Sequence, residues 1–182
     1  MNDKTDHSTD KSIVMIGLMG AGKTSVGKRL ADAMGLPFVD SDDEIADAAG
    51  CPIPVIFEKH GEAAFRDLEE RVIERLLHEP RCVIATGGGA YMRPETRARI
   101  NADGITVWIR AELDILVERT GRRGGRPLLE QGNPREILQA LMDERYPVYE
   151  NADVIVDSGN DSHEVTVHQI IDALNQLDEA ST

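Results

Sequence analysis

The segment Gly17-Leu18-Met19-Gly20-Ala21-Gly22-Lys23-Thr24 follows an apolar run, Ile13 to Ile16, and opens a helical pattern through Val26, Leu30 and Met34. A strand, a glycine-rich turn and a helix in that order form a P-loop, which constrains the fold more than any other feature of the chain. Backbone N–H groups can wrap phosphates only where side chains do not intervene, and Gly17, Gly20 and Gly22 occupy those points. Lys23 supplies a point charge between the outer phosphates, and the Thr24 hydroxyl a hard oxygen for Mg²⁺. The plain alternative is a glycine turn between strand and helix with no ligand.

With 182 residues, 41% of them hydrophobic, the chain fits one compact domain with a real core. Its net charge of −13 argues against nucleic acid or an anionic membrane as partner, so the places where cations cluster matter more. Residues 1–11 are polar, with charges of mixed sign, and lack the apolar centre of a signal peptide, so they read as a disordered tail. No apolar stretch approaches the length of a membrane span. Cys51 and Cys82 offer neither a disulfide framework nor metal-ligand spacing, and a cytoplasmic location with both thiols reduced is expected.

Apolar runs at Ile13–Leu18, Pro37–Asp40, Cys82–Thr86, Ile105–Ile109 and Val154–Asp157 alternate with helical patterns. That alternation predicts an α/β fold with a five-stranded parallel sheet covered by helices on both faces. The near-continuous apolar character of the first, third, fourth and fifth runs suits strands buried on both sides. The helices expected are Lys23–Met34, Asp42–Ala49, Pro54–Lys59, Glu62–His78, Pro94–Asn101, Glu112–Thr120, Pro134–Tyr146 and Ser162–Leu177. Between them Gly121–Asn133, rich in glycine and arginine and without a hydrophobic face, reads as a basic lid loop.

Four further constellations fall at the carboxyl edge of this sheet or beside it. Asp40-Ser41-Asp42 ends the second strand, either as two carboxylates for an acceptor and a metal or, with Ser41 or Asp42, as a helix cap. Arg66 and Glu69 share a helix face, which an exposed ion pair would also explain, whereas Phe65 reads as core. Thr86-Gly87-Gly88-Gly89 is a second cradle or a tight turn. Arg119, Arg122, Arg123 and Arg126 surround the lid, and Arg145 sits on the next helix just before Pro147. A solvated face would account for most of them, but Pro127 stiffens the chain beside Arg126 and so aims it.

Gly17-x-x-Gly20-x-Gly22-Lys23-Thr24, Asp40-x-Asp42, Gly61-Glu62-x-x-Phe65-Arg66-x-x-Glu69, Thr86-Gly87-Gly88-Gly89 and Arg126-Pro127-Leu128, in that order, resemble shikimate kinase from Ile13 to about Ile171. The resemblance implies a nucleoside-monophosphate-kinase-like fold with sheet order 2-3-1-4-5, spanning residues 12–177. The substrate region would fall near 40–70, the lid near 121–133, and a short tail at 178–182. It implies transfer of the γ-phosphate of ATP, with Mg²⁺, to the 3-hydroxyl of shikimate in aromatic amino-acid biosynthesis, by a monomer. Carried over, Gly20 to Ser25 would hold the ATP phosphates, with Thr24 and Asp40 serving Mg²⁺. Lys23, Asp42 and Arg126 would be catalytic, and Arg119 would lie against adenine. Asp42, Arg66, Glu69, Gly87, Gly88, Gly89 and Arg145 would bind shikimate. Ser158-Gly159-Asn160-Asp161-Ser162 lacks the proline-containing loop usual around adenine in that family, so no base contact is assigned there. Gluconate kinase is the nearest rival of the same fold, and it would have less use for two arginines on a carboxylate. A nucleotide-dependent regulatory protein that had lost catalysis would be expected to lack Lys23, Asp42 or Arg126.

Overall fold

The computed structural model describes residues 10–124 and 127–181. Five strands, β1 (Ser12–Ile16), β2 (Phe38–Asp40), β3 (Val83–Ala85), β4 (Gly104–Arg110) and β5 (Val154–Asp157), form one sheet in the order β2-β3-β1-β4-β5. Every pairing is parallel, and Ile13 stands opposite Val83 on one side and Ile105 on the other. The helices are α1 (Lys23–Met34), α2 (Ser41–Ala49), α3 (Ile53–His78), α4 (Pro94–Asp103), α5 (Leu113–Arg123), α6 (Pro127–Glu130), α7 (Pro134–Tyr149) and α8 (His163–Ala180).

All five residues of β1 are buried, as a central strand covered on both faces requires. Helix α1 closes one face with Val26 and Leu30, α3 adds Ile73 and Leu76, and Leu116 and Ile170 arrive from α5 and α8. The chain leaves β1 toward β2 and leaves β3 toward β4 on the far side of β1, so the two right-handed connections part to opposite faces of the sheet at the ends of β1 and β3. In open parallel sheets, ligands bind in the crevice opened by such a divergence. Here the crevice lies between Gly17–Gly22 and Thr86–Gly89.

Several boundaries differ from expectation. Strand β5 buries only Val154 and Val156 and exposes Ile155 and Asp157, because it is an edge strand and not one covered on both sides. The expected lid loop is largely helical. Helix α5 runs on through Arg123, where Arg122 donates to Glu118 one turn back, and α6 follows at Pro127 with Leu129 buried as an apolar anchor. The two helices expected at 54–59 and 62–78 are segments of α3, separated at Gly61, whose φ of 80° and ψ of 173° are non-helical. Helix α7 passes its internal Pro147 and ends beyond it.

At the C-terminal end α8 reaches Ala180, and the Ser181 hydroxyl donates to the Leu177 carbonyl at 2.9 Å, so the tail expected from 178 is mostly helix. At the other end Lys11 is tied down. Its ammonium donates to the Ala102 carbonyl at 2.9 Å, and its own carbonyl accepts from Arg81 Nε at 3.1 Å. Residues 1–9 of the expected tail lie outside the described residues.

Candidate active site

The phosphate loop takes its shape from its glycines. Gly22 caps α1 with a φ of 103°, and Gly20 has a φ of 83°. A Cβ on Gly20 would lie 2.9 Å from the Thr120 side chain, so both dihedral and space select glycine there. Lys23 folds back over the loop, its ammonium donating to the carbonyls of Gly17 at 2.6 Å and Leu18 at 3.1 Å. Gly20, Gly22, Lys23, Thr24 and Ser25 face a cleft of about 600 Å³, whereas the Ala21 side chain is buried and its N–H donates to Leu18 within the turn at 3.1 Å. Ala21 therefore shapes the loop from behind.

The opposite wall begins where β2 ends. Asp40 is the helix cap, its Oδ1 accepting from the Asp42 N–H at 2.9 Å. The cap falls one residue before Ser41, and two before Asp42, which leaves the Asp42 carboxyl directed at the glycine run. A Cβ on Gly87 would stand 3.1 Å from its Oδ1. Burial raises the pKa of both carboxyls, and for Asp42 the negative charge of Asp40 adds to the effect.

Arg66 and Glu69 form a pair that is anything but an exposed surface bridge. Glu69 is buried, and its Oε1 accepts from the Arg66 guanidinium at 2.7 Å. Its Oε2 has no hydrogen-bond partner among the described residues, and burial raises its pKa against the opposing charge of Arg66. The guanidinium also lies over the Phe65 ring, 5.2 Å from its centroid.

The run Gly87 to Gly89 explains itself through its neighbours. A Cβ on Gly89 would lie 2.8 Å from Arg66 Cζ, and one on Gly88 would lie 2.8 Å from an Arg145 nitrogen. Two guanidinium groups thus rest against bare backbone, and the Thr86 hydroxyl, donating to the Met15 carbonyl at 2.8 Å, ties this turn to β1. Arg145 Nε is buried with no hydrogen-bond partner among the described residues.

Arg119 closes the other end of the cleft. It donates to the Ala21 carbonyl and the Ser158 hydroxyl, each at 3.1 Å, and to the Gly159 carbonyl at 2.6 Å, linking the phosphate loop to the segment after β5. Desolvation lowers its pKa, though a guanidinium remains charged in any case. The fold thus brings together every candidate from the sequence except Ala21, which lies behind the loop, and Arg126, which lies outside the described residues.

It also adds residues that sequence reasoning did not assign to the site. Ile53, Phe57, Phe65 and Leu128 give the cleft apolar walls, and His163 lines it near Gly22. Leu128 and Phe57 are among the exposed large hydrophobics, a signal visible only once the surface is known. Phe65 is core and wall at once, which helical spacing alone does not reveal.

A phosphate loop at the head of the central strand, facing paired carboxylates and two guanidinium groups across one crevice, defines a P-loop kinase that acts on a small molecule. The family model described as "SKI: Shikimate kinase" matches residues 19–175, and the chain belongs to the shikimate kinase family. It is 54% identical over 164 residues to a shikimate kinase of Paramagnetospirillum magneticum, covering 90% of this chain and 84% of that one. It is 48% identical over 164 residues to that of Mesorhizobium japonicum, covering 90% and 81%. Among solved structures, shikimate kinase from Acinetobacter baumannii in complex with shikimate superposes with a TM-score of 0.87 at 36% identity, covering 93% of this chain and 95% of that one. A gluconokinase from Sinorhizobium meliloti, at 24% identity and a TM-score of 0.64, shares the fold alone. Membership makes the chain an ATP-dependent, Mg²⁺-using phosphotransferase of aromatic amino-acid biosynthesis.

Proposed function

We propose that the chain phosphorylates the 3-hydroxyl of shikimate at this cleft, with ATP on the phosphate loop and the acid against the glycine run. The observation that carries the reading is the convergence of Asp42, Arg66 and Arg145 on Gly87–Gly89, across the crevice from Lys23 and Thr24. Guanidinium groups present planar, paired donors that suit a carboxylate, and their charge discriminates against neutral sugars. Arg66 and Arg145, with the Gly88 backbone, hold the carboxylate, and Glu69 orients Arg66. Asp42 binds the acceptor hydroxyls and takes the departing proton, a task that its raised pKa suits.

The donor set fits Mg²⁺: a threonine hydroxyl and a half-buried carboxylate, Thr24 and Asp40, line one cleft, and burial, with the charge of Asp43 added, raises the pKa of Asp40, which a cation would offset. Bound Mg²⁺ supplies charge neutralisation and orientation of the phosphate oxygens. The N–H groups of the loop and Lys23 hold the triphosphate, and Lys23 exchanges its loop carbonyls for phosphate oxygen. A loose transition state spreads charge over the transferred group, so fixed cations and alignment account for most of the rate, and no strong base is required. Arg126, which precedes Pro127 in the lid, is assigned to the transferring phosphate, and Arg119 to the adenine end. Lid closure excludes water, which would otherwise accept the phosphate.

All of these groups come from one chain, so a monomer suffices, and no helix among the described residues is long and apolar enough to cross a membrane. We place the enzyme in the cytoplasm. The test is ADP release measured with shikimate, with gluconate and with neither, repeated for Arg66→Ala. Release that depends on shikimate, with a shikimate dissociation constant raised at least about tenfold in the variant, is expected from the loss of a charged hydrogen bond. Release driven by gluconate, or unchanged shikimate binding by Arg66→Ala, refutes the acid site.

A further inference from the structure

Arg145 and Tyr149 are one turn apart on α7 and so share a helix face. Tyr149 is fully buried, its ring 5.6 Å from that of Trp108 and 6.3 Å from that of Tyr91, centroid to centroid. A phenol so enclosed has to satisfy its hydroxyl inside the protein. It does so by donating to the Gly88 carbonyl. Gly88 is also where Arg145 meets the backbone, since a Cβ there would lie 2.8 Å from an Arg145 nitrogen and 3.9 Å from the Tyr149 hydroxyl. Two side chains therefore meet at one peptide. Burial pushes the Tyr149 pKa up to about 12, against the charge of Arg145 and a hydrogen bond donated by its guanidinium, so the phenol keeps its proton and remains a donor at neutral pH.

We propose that Tyr149 is a positioning residue for the acid site: its hydroxyl locks the Gly88 peptide and the Arg145 guanidinium in relation to each other before the acid arrives. The inference rests on the assignment of Arg145 and Gly88 to shikimate and goes a step further, since Tyr149 lies behind both. Without the hydroxyl, the half-buried Gly88 carbonyl would lose this hydrogen bond, and Arg145 could swing off the glycine run. Binding the acid would then have to order both. The aromatic body of Tyr149 would still fill its place between Trp108 and Tyr91.

Tyr149→Phe removes the hydroxyl and keeps the ring. Calorimetry with shikimate should show a dissociation constant raised about tenfold, while the KM for ATP and the turnover at saturating shikimate stay within about twofold. Trp108→Phe, in the same aromatic cluster, should lower the unfolding temperature and leave shikimate binding unchanged. Added to Arg145→Ala, Tyr149→Phe should cause a smaller loss than it does alone, because only the Gly88 peptide is then left for it to position. Parent-like shikimate binding by Tyr149→Phe overturns the proposal, as does weakening of ATP and shikimate alike with a large fall in unfolding temperature. If Arg145→Ala itself binds shikimate normally, the acid-site assignment fails. If Arg145→Ala weakens binding and Tyr149→Phe does not, only the role of Tyr149 falls.

Discussion

Glu69 carries a buried charge that the free protein satisfies only by half: Oε1 pairs with Arg66 at 2.7 Å, and Oε2 has no hydrogen-bond partner among the described residues. Burial raises its pKa above the ordinary 4.5, so the folded state holds the proton more tightly than the unfolded chain does. The sign follows from linkage: a carboxyl whose folded pKa is raised adds least to stability when ionised, and its contribution falls as pH climbs from about 4.5 through the folded value. Glu69→Gln lacks that dependence, whereas the loss of the Arg66 pair is nearly constant once Glu69 is ionised. The unfolding temperature of the variant, relative to the parent, should therefore rise as pH climbs from about 4.5 in the absence of ligands. A flat or falling difference over that climb would mean that Glu69 is solvated in the folded protein. The sequence placed Arg66 and Glu69 on one helix face, but an exposed pair fits that spacing equally well. Only the packing of α3 under the glycine run makes the carboxyl buried and the pair part of a site.

Helix α3 shows how an element can serve two walls of one cleft. Its first segment brings Ile53 and Phe57 to the opening and its second brings Phe65, Arg66 and Glu69, with the change of direction at Gly61. The φ of 80° and ψ of 173° there are open almost only to glycine, and nothing lies within 4 Å of a Cβ added at that point, so the cost of a side chain is one of backbone strain alone. Gly61→Ala should lower stability by about 1–3 kcal/mol in denaturant titrations. It should also raise the KM for shikimate more than that for ATP, as the Ile53–Phe57 segment turns away. An unaltered denaturation midpoint would show that the break can be straightened without penalty. Glycine between two helical patterns made this break legible in the sequence. The lid was less legible, because its density of glycine and arginine masks the helical turns on either side. Among the described side chains of α6, Leu129 is the buried one, and one apolar residue sets no period. Strand β5 was misjudged for a related reason: an apolar run does not say whether a neighbour covers its second face, and an edge strand lacks that cover.

Across the whole molecule the sheet order divides the cleft. In the proposed assignment, strands β2 and β3 present the acid wall and β1 the phosphate loop, and the segment after β5, held to the loop by Arg119 through the carbonyls of Ala21 and Gly159, closes the nucleotide end. The order of motifs along the chain identified the two ligands, but the bridge that Arg119 makes between segments 39 and 98 residues away had no sequence signal, since its partners there are backbone carbonyls and a serine. The division implies that damage at one end should remain there. Arg119→Ala should release the segment after β5 and raise the KM for ATP by about tenfold, the scale of one or two lost charged hydrogen bonds. Shikimate titrated calorimetrically without nucleotide should bind that variant within about twofold of the parent, because Asp42, Arg66 and Arg145 are held by α2, α3 and α7 without recourse to Arg119. Equal weakening of both ligands would mean that the two ends of the crevice are coupled through the phosphate loop, and that the P-loop is positioned from the acid side as well as from the nucleotide side.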